Sequence, residues 1–407
     1  MLEDAFTLPD TVFRFASPSQ ILYGRGAATR FAEHFSQLLG EQAKGPVLVV
    51  TDEILISVGI TGPVVEALAG MELDVEIFAR QPEEPTAAAV NALGNHTACV
   101  DPVGIVAIGG GATMDSAKSA RVLHQFGGRI EEYEGIGTVP APATIPLAAI
   151  ATTSGTGSET GYAALFTHEE TSTKRFVGSP HMVPDLAVVD PDLTASVPPA
   201  TTAHTGIDAL AQAIGPFLSP LRHPITDVLA REAVRLLGGN LLAAYRDGTD
   251  MTARSAMAYG SLMMGLAMNN AECIGEHFFA EIVGPRYSIP HGVSVGMFLP
   301  YILQFNRNVS AARLAALAAL FVEDPAEDDQ TAIDQFVGFT NSLLGELDLP
   351  TLRDIGVRSR HLDELTDHIY GHIGIELDLN PRPMNREDCA RILAAAYDEI
   401  PALEMAV

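Results

Sequence analysis

From residue 46 onward the chain alternates short apolar, β-branched runs with longer stretches of helical character, and this alternation restricts the folds open to it. PVLVVTD (46–52) is followed by LISVGITGPVVEALAG (55–70), and DVEIFAR (74–80) by TAAAVNALGNHTA (86–98). GIVAIGG (104–110) then leads into ATMDSAKSARVL (112–123). Strands separated by ten to fifteen residues of helix are too far apart for hairpins and pair parallel through crossover helices. The expectation is an N-terminal α/β domain built on a parallel sheet with crossover helices, extending to about residue 190. After PDLTASVPP (191–199) the strand signals nearly stop. HPITDVLAREAVRLLGGNLLAAY (223–245) and ARLAALAALFV (312–322) read as helices, so an all-α C-terminal domain is expected. The Pro198-Pro199 pair marks the boundary and gives expected domains of 1–197 and 198–407. A chain of 407 residues with 47% apolar content can fill two such cores.

The formal net charge of −27 repels nucleic acid and anionic membranes, and no basic run offsets it. The apolar runs are far shorter than a membrane span, and the acidic opening MLEDAFTLPD has no secretory pattern. A cytoplasmic protein without nucleic-acid or membrane partners is expected. Cys99, Cys273 and Cys389 are widely spaced and lack CxxC pairing, as in ordinary packing residues of a reducing compartment. The acidic stretch EDPAEDDQ (323–330) reads as a solvated loop. Only three lysines occur, Lys44, Lys118 and Lys174, which draws attention to each.

Gly109-Gly110-Gly111 lies between a buried strand and a helix expected to open at about Ala112. Glycines admit close approach of a pyrophosphate, and the free amides of a helix start favour an anion. The turn is not a GxGxxG fingerprint, and a ligand-free strand-to-helix turn is the alternative reading. Asp52, ending an early strand, is placed to accept from a ribose hydroxyl, which favours NAD over NADP, or simply to cap the next helix. The polar turn Thr152-Thr153-Ser154-Gly155-Thr156-Gly157-Ser158-Glu159 follows the apolar run IPLAAIA and suits diphosphate or nicotinamide contacts. In TTAHTGIDALAQAIG, Asp208 and Gln212 are four residues apart and share a helix face. With His277 and His291 they offer a carboxylate, an amide oxygen and two imidazoles to a divalent cation.

Taken in order, these motifs resemble the iron-type (group III) alcohol dehydrogenase family. The similarity runs from FRFASPSQILYGRGA through GGGATMDSAK, IATTSGTGSET, SPHMVPDLAVVDPDLTASVPP, TGIDAL, SPLRHPITDVLAREAVRLL and SIPHG to LNPRP. The resemblance implies hydride exchange between NAD or NADP and an aldehyde or alcohol, with Fe2+ or Zn2+ as the metal and a homodimer or larger assembly. It implies cofactor contacts at Gly109, Gly110, Gly111, Asp115, Lys118, Thr152, Thr153 and Thr156, with Lys174 nearby. The family's metal set of one Asp and three His maps onto Asp208, Gln212, His277 and His291, so one ligand differs.

Other positions differ too. Glu281 stands where a further histidine is usual, Arg286 replaces an aromatic residue, and Glu376 and Asp378 precede LNPRP. His277 and His291 are the expected catalytic centre, with Glu281 relaying a proton. Arg286 suggests a substrate carboxylate or phosphonate, or a pairing with Glu281. A metal-independent reductase of an anionic oxo substrate, similar to maleylacetate reductases, and a non-catalytic dinucleotide-binding protein are the competing expectations.

Overall fold

The computed structural model describes residues 12–40, 45–80, 84–170, 173–322, 326, 328–372 and 376–405. Two compact units divide the chain. One comprises Ala16–Val197 and Thr249–Gly265; the other comprises Met1–Phe15, Pro198–Gly248 and Leu266–Val407. Neither unit is one continuous stretch, in contrast to the uninterrupted 1–197 and 198–407 of the sequence reading. Helical periodicity locates a helix but does not say which unit its two ends join, and the 21-residue helix Met251–Ala271 is divided between the two.

The first unit is built on six parallel strands in the order β1-β9-β6-β4-β2-β3. They are β1 (Gln20–Tyr23), β2 (Val47–Asp52), β3 (Val75–Arg80), β4 (Gly104–Gly109), β6 (Leu147–Ala151) and β9 (Leu186–Val189). Every residue of β4, β6 and β9 is buried, which is why these strands read as unbroken apolar runs rather than alternating ones. Alternate residues serve opposite faces. Val47, Val49, Val106, Ile108, Ala148 and Ile150 pack with Phe31 and Phe35 of α1 (Ala27–Leu39) and with Val64 and Leu68 of α3 (Gly62–Gly70). Leu48, Val50, Ile105, Ala107, Leu147 and Ala149 pack with Leu93 of α4 (Ala87–Val100) and with Met114 and Ala117 of α5 (Gly111–Phe126). Strand β1 precedes the alternating pattern because QILY is too short to show a period. A second sheet was also absent from the sequence reading. In it β7 (Ala163–His168) pairs antiparallel with β8 (Thr173–Gly178), which takes β5 (Gly135–Ile136) on its other side.

A buried polar knot ties α5 to the loop after β6 and to β7. Lys118 is wholly buried; its Nζ donates to Ser158 Oγ at 2.7 Å and to the Ala163 carbonyl oxygen at 2.9 Å, with Asp115 Oδ1 3.6 Å away. Asp115 accepts from Ser158 Oγ at 2.6 Å and from Leu165 N at 3.0 Å. Burial pushes the Lys118 ammonium below its usual range and the Asp115 carboxyl above its own, each charge opposing the shift of the other.

Among the described residues no strand follows β9. The second unit carries α6 (Pro199–Leu218), α7 (Pro224–Arg246), α9 (Gly275–Tyr287), α10 (His291–Asn306), α11 (Ala311–Ala318), α12 (Asp329–Glu346), α13 (Leu362–His372) and α14 (Arg386–Tyr397). Pro198 caps α6 and Pro199 fills its first position, where the missing N–H costs nothing. The helix expected over 312–322 ends at Ala318. Of the acidic loop expected at 323–330, residues 323–325 and 327 lie outside the described residues; Asp328 caps α12 through Thr331 N, and Asp329 and Gln330 already belong to that helix, so the loop ends earlier than expected. No helix among the described residues is long and apolar enough to cross a membrane.

Glu159 adjoins the Lys118 knot, and burial pushes its carboxyl up to about 7 from 4.5, against the Lys118 charge. The folded chain therefore binds a proton that the unfolded chain has released between these values, so this group's contribution to stability falls as pH rises from 4.5 to 7. Glu159→Gln is expected to raise stability at pH 8 by up to about 3 kcal/mol and to change it little near pH 4.5. Urea unfolding at the two pH values checks this; equal effects at both would contradict it.

Candidate active site

In the α/β unit, β4 ends at Gly109, Gly110 caps α5, and the helix opens at Gly111, one residue earlier than expected. None of the three glycines has a positive φ, so their need is for space. A Cβ on Gly109 would stand 2.5 Å from Thr113 Oγ1, one on Gly110 3.3 Å from Thr153 Oγ1, and one on Gly111 2.7 Å from Thr156 Cγ2. The threonine turn thus lies directly against the glycine turn, joined to it by Thr152 N donating to the Gly109 carbonyl at 3.1 Å. The first-turn amides of Gly111 and Ala112 have no acceptor among the described residues. Free donors at a side-chain-free helix start form a cradle that fits a dinucleotide pyrophosphate.

The other expected cofactor residues are placed differently. Asp52 Oδ1 accepts from Leu55 N at 2.9 Å, capping the short helix α2 (Glu53–Ser57). Lys174 lies on β8 with Nζ 3.3 Å from Glu84 Oε2. Asp115 and Lys118 are buried and both bond to Ser158 Oγ, so whatever their part in holding a cofactor, they tie the two turns together.

In the helical unit, Asp208 and Gln212 lie one turn apart on α6, His277 in the first turn of α9, and His291 at the start of α10. One ligand atom each from Asp208, His277 and His291 lies within 4.8 Å of the others. His277 Nε2 is 3.4 Å and His291 Nε2 3.9 Å from Asp208 Oδ1. Gln212 Nε2 donates to the same Asp208 oxygen at 3.2 Å, and its carbonyl oxygen is buried without a hydrogen-bond partner. Gly292 makes the approach of α10 to α6 possible, because a Cβ there would lie 1.8 Å from the His204 carbonyl oxygen and 3.0 Å from Asp208 Cβ.

One residue of this group escaped the sequence reading. Glu276 is wholly buried; its Oε1 stands 3.2 Å from His277 Nδ1, and its Oε2 has no hydrogen-bond partner. Its position next to His277 was the available signal, but its direction depends on the start of α9. Asn380 of the LNPRP segment fixes that start by accepting from Gly275 N at 3.2 Å, and pairs in turn with Asn306 on α10. Burial alone would lower the His277 pKa, yet hydrogen bonding and charge from Asp208 and Glu276 hold it at about 10. Burial and the carboxylates of Glu272, Glu276, Asp208 and Glu281 push the neighbouring Cys273 thiol well above its usual range. The surroundings are strongly negative, with a buried carbonyl oxygen, a carboxylate and two imidazoles converging. This donor set fits a divalent cation.

Glu281, half-buried one turn beyond His277, does not join the group within 4.8 Å. Arg286 corrects its expected role: it donates to Glu364 Oε1 at 2.7 Å and lies 3.0 Å from His368 Nδ1, rather than pairing with Glu281 or standing ready for a substrate anion. Those partners are about 80 residues away in sequence, beyond the reach of local pattern. The side chain of Glu376 lies outside the described residues, and Asp378 is exposed.

Residues 18–191 match the family model described as iron-containing alcohol dehydrogenase, and residues 202–397 match the model of the C-terminal part of the Fe-containing alcohol dehydrogenase family. Alcohol dehydrogenase 4 of Saccharomyces cerevisiae is 32% identical over 391 residues, covering 95% of this chain and 99% of the yeast protein. Sulfoacetaldehyde reductase of Bilophila wadsworthia is 30% identical over 383 residues, covering 93% of this chain and 97% of its own. The crystal structure of a 1,3-propanediol oxidoreductase superposes with a TM-score of 0.89 at 30% identity, covering 95% of this chain and 100% of that one. On these matches, the chain belongs to the iron-containing alcohol dehydrogenase family.

Proposed function

We propose that this protein is an NAD(P)-dependent oxidoreductase that interconverts a small aldehyde or ketone and the corresponding alcohol, with a divalent cation, Fe2+ or Zn2+, held by Asp208, Gln212, His277 and His291. The observation that carries the reading is the convergence of Asp208, His277 and His291 in a negative, buried setting that includes the orphaned Gln212 carbonyl oxygen. When bound, the nicotinamide supplies or takes the hydride and the cation polarises the substrate oxygen. The chain's own residues hold these groups. Amides of Gly111 and Ala112 take the pyrophosphate, Thr152, Thr153 and Thr156 line the same turn, and Lys174 lies in the same unit as a further candidate contact. Asp52 retains one carboxylate oxygen beyond its cap for a ribose hydroxyl.

Glu276 acts on His277. The two nitrogens of an imidazole lie on different edges of the ring, so a ring that donates Nδ1–H to Glu276 presents its Nε2 lone pair to the Asp208 group. Glu276 thereby fixes the tautomer a metal needs and adds negative charge where Gln212, a neutral oxygen donor, provides less binding than an imidazole would. Glu281, half-buried on the same helix, is assigned to proton exchange. Arg286, engaged with Glu364 and His368, leaves the metal-independent reading to rest on His277 and His291 alone as its anion-orienting groups. A homo-oligomer of at least two chains, located in the cytoplasm, completes the reading.

A panel of aldehydes and alcohols assayed with NADH, NADPH and their oxidised forms, before and after chelation, tests the activity. Turnover is expected that is lost on chelation and restored by Zn2+ or Fe2+; full activity in metal-free protein would contradict the role of the cation. Zn2+ titration of variants tests the ligand assignment separately. Gln212→His is expected to tighten binding about tenfold or more, equivalent to ~1.4 kcal/mol, because imidazole is the better donor. Glu276→Gln is expected to weaken it about 10–100-fold. Unchanged affinity in both variants would sink the four-ligand assignment.

A further inference from the structure

The entry to α9 has no local cap. Ile274 stands at the N-cap position with a side chain that cannot accept a hydrogen bond, and the amide of Gly275, which opens the helix, has no acceptor within it. Two glycines let other elements close on this stretch instead. A Cβ on Gly215 of α6 would stand 3.2 Å from Cys273 Cα and 3.4 Å from Ile274 N. One on Gly275 would stand 2.6 Å from Met384 Cε and 2.9 Å from Ile302 Cδ1 of α10. The start of α9 is thus placed by tertiary contacts and not by its own sequence.

One polar contact at this stretch comes from the LNPRP segment. Gly275 N donates to Asn380 Oδ1 at 3.2 Å, so Asn380 does from 105 residues away what an N-cap side chain does locally. Asn380 is wholly buried, and its amide is held in one orientation. Its Oδ1 also accepts from Asn306 Nδ2 at 3.0 Å, while its Nδ2 donates to Asn306 Oδ1 at 2.7 Å and to the Arg382 carbonyl oxygen at 2.6 Å. Both N–H groups and both lone pairs of the amide are therefore used, and rotation would break four bonds together. Asn306, the last residue of α10 and also wholly buried, is fixed in turn by Arg382 N, which donates to its Oδ1 at 3.1 Å.

The residue that follows Gly275 is Glu276, wholly buried, with Oε1 3.2 Å from His277 Nδ1. A carboxylate in that setting gains by turning toward water, because burial removes its hydration. Rotation of the first turn of α9 is what would release it, and the bond from Gly275 N to Asn380 opposes that rotation. We infer that Asn380, held by Asn306, is a positioning residue of the metal site: it sets the start of α9 so that Glu276 faces His277 Nδ1 and the ring presents Nε2 to Asp208. The inference rests on the four-ligand reading above and extends it to residues that touch neither the cation nor its ligands.

A double-mutant cycle on Zn2+ affinity, measured on the full-length protein by competition with a chromophoric chelator, tests this. Asn380→Ala is expected to weaken Zn2+ about tenfold, the low end of what loss of an outer partner of a ligand costs. Combined with Glu276→Gln, it is expected to add less than about threefold to the loss from Glu276→Gln alone, because both changes break the same contact. Unchanged affinity in Asn380→Ala would overturn the inference, and so would losses that multiply in the double variant, as a general weakening of the fold gives. A second readout is the low-field proton signal of His277 Nδ1–H in the Zn2+-loaded protein. It is expected in the native protein and absent in Asn380→Ala; its persistence in the variant counts equally against the assignment. Should Asn380→Ala not fold, Asn306→Ala, which removes the amide holding Asn380, is carried through the same cycle. A loss of about threefold or more, equivalent to one hydrogen bond, is then expected, with little further loss on adding Glu276→Gln; native affinity would refute the role of the pair. A native protein that binds no Zn2+ would instead remove the four-ligand reading beneath the inference.

Discussion

Buried negative charge is the constraint on which the helical unit depends. Asp208 and Glu276 lie on either side of one imidazole, His277, with Glu276 wholly buried. Carboxylates removed from water cost several kcal/mol each unless a counter-charge and hydrogen bonds offset the loss. In the metal-free chain the positive charge favoured on His277 supplies part of that offset; orphaned atoms such as Glu276 Oε2, Gln212 Oε1 and His277 Nε2 mark where it is incomplete. Much of the surrounding structure maintains this placement. Gly292 lets α10 approach α6, and Asn380 and Asn306 secure the first turn of α9. Replacing one histidine of the usual set by Gln212 leaves the charge arrangement intact while changing the strength of one donor.

The α/β unit solves a complementary problem, since its cradle must be open to an anion yet rigid. Three glycines let the backbone come close to its neighbours, Thr113 at Gly109 and the threonine turn at Gly110 and Gly111. Rigidity comes from Lys118, Asp115 and Ser158, whose hydrogen bonds join α5, the loop after β6, and β7. Such a fully connected buried network fixes geometry more strictly than apolar packing, and a lysine there need not touch a ligand to matter.

The parts of this arrangement legible in the sequence were those encoded locally. Fully buried strands appeared as apolar runs, the glycine turn as a strand-to-helix junction, and Asp208 with Gln212 as one helix face. His277 and His291 required similarity to a family, because spacing alone does not bring residues of α6, α9 and α10 together. Long-range partners were not legible. Lys118 was expected to meet a cofactor, and its buried position depends on Ser158 and Ala163, 40 and 45 residues away. Arg286 finds Glu364 at a separation of 78 residues. Glu276 was overlooked beside its partner because a glutamate in a helical segment normally faces water, and only the fold of the α9 start turns it inward.

The central claim is that Asp208, Gln212, His277 and His291 enclose one divalent cation. Crystals grown with Zn2+ and measured at the zinc absorption edge test it most directly. A single strong anomalous peak is expected among the Asp208 carboxylate, Gln212 Oε1 and the Nε2 atoms of His277 and His291, with His277 Nδ1 still on Glu276. A map with no peak in that position, or with a peak that Gln212 does not touch, would contradict the account.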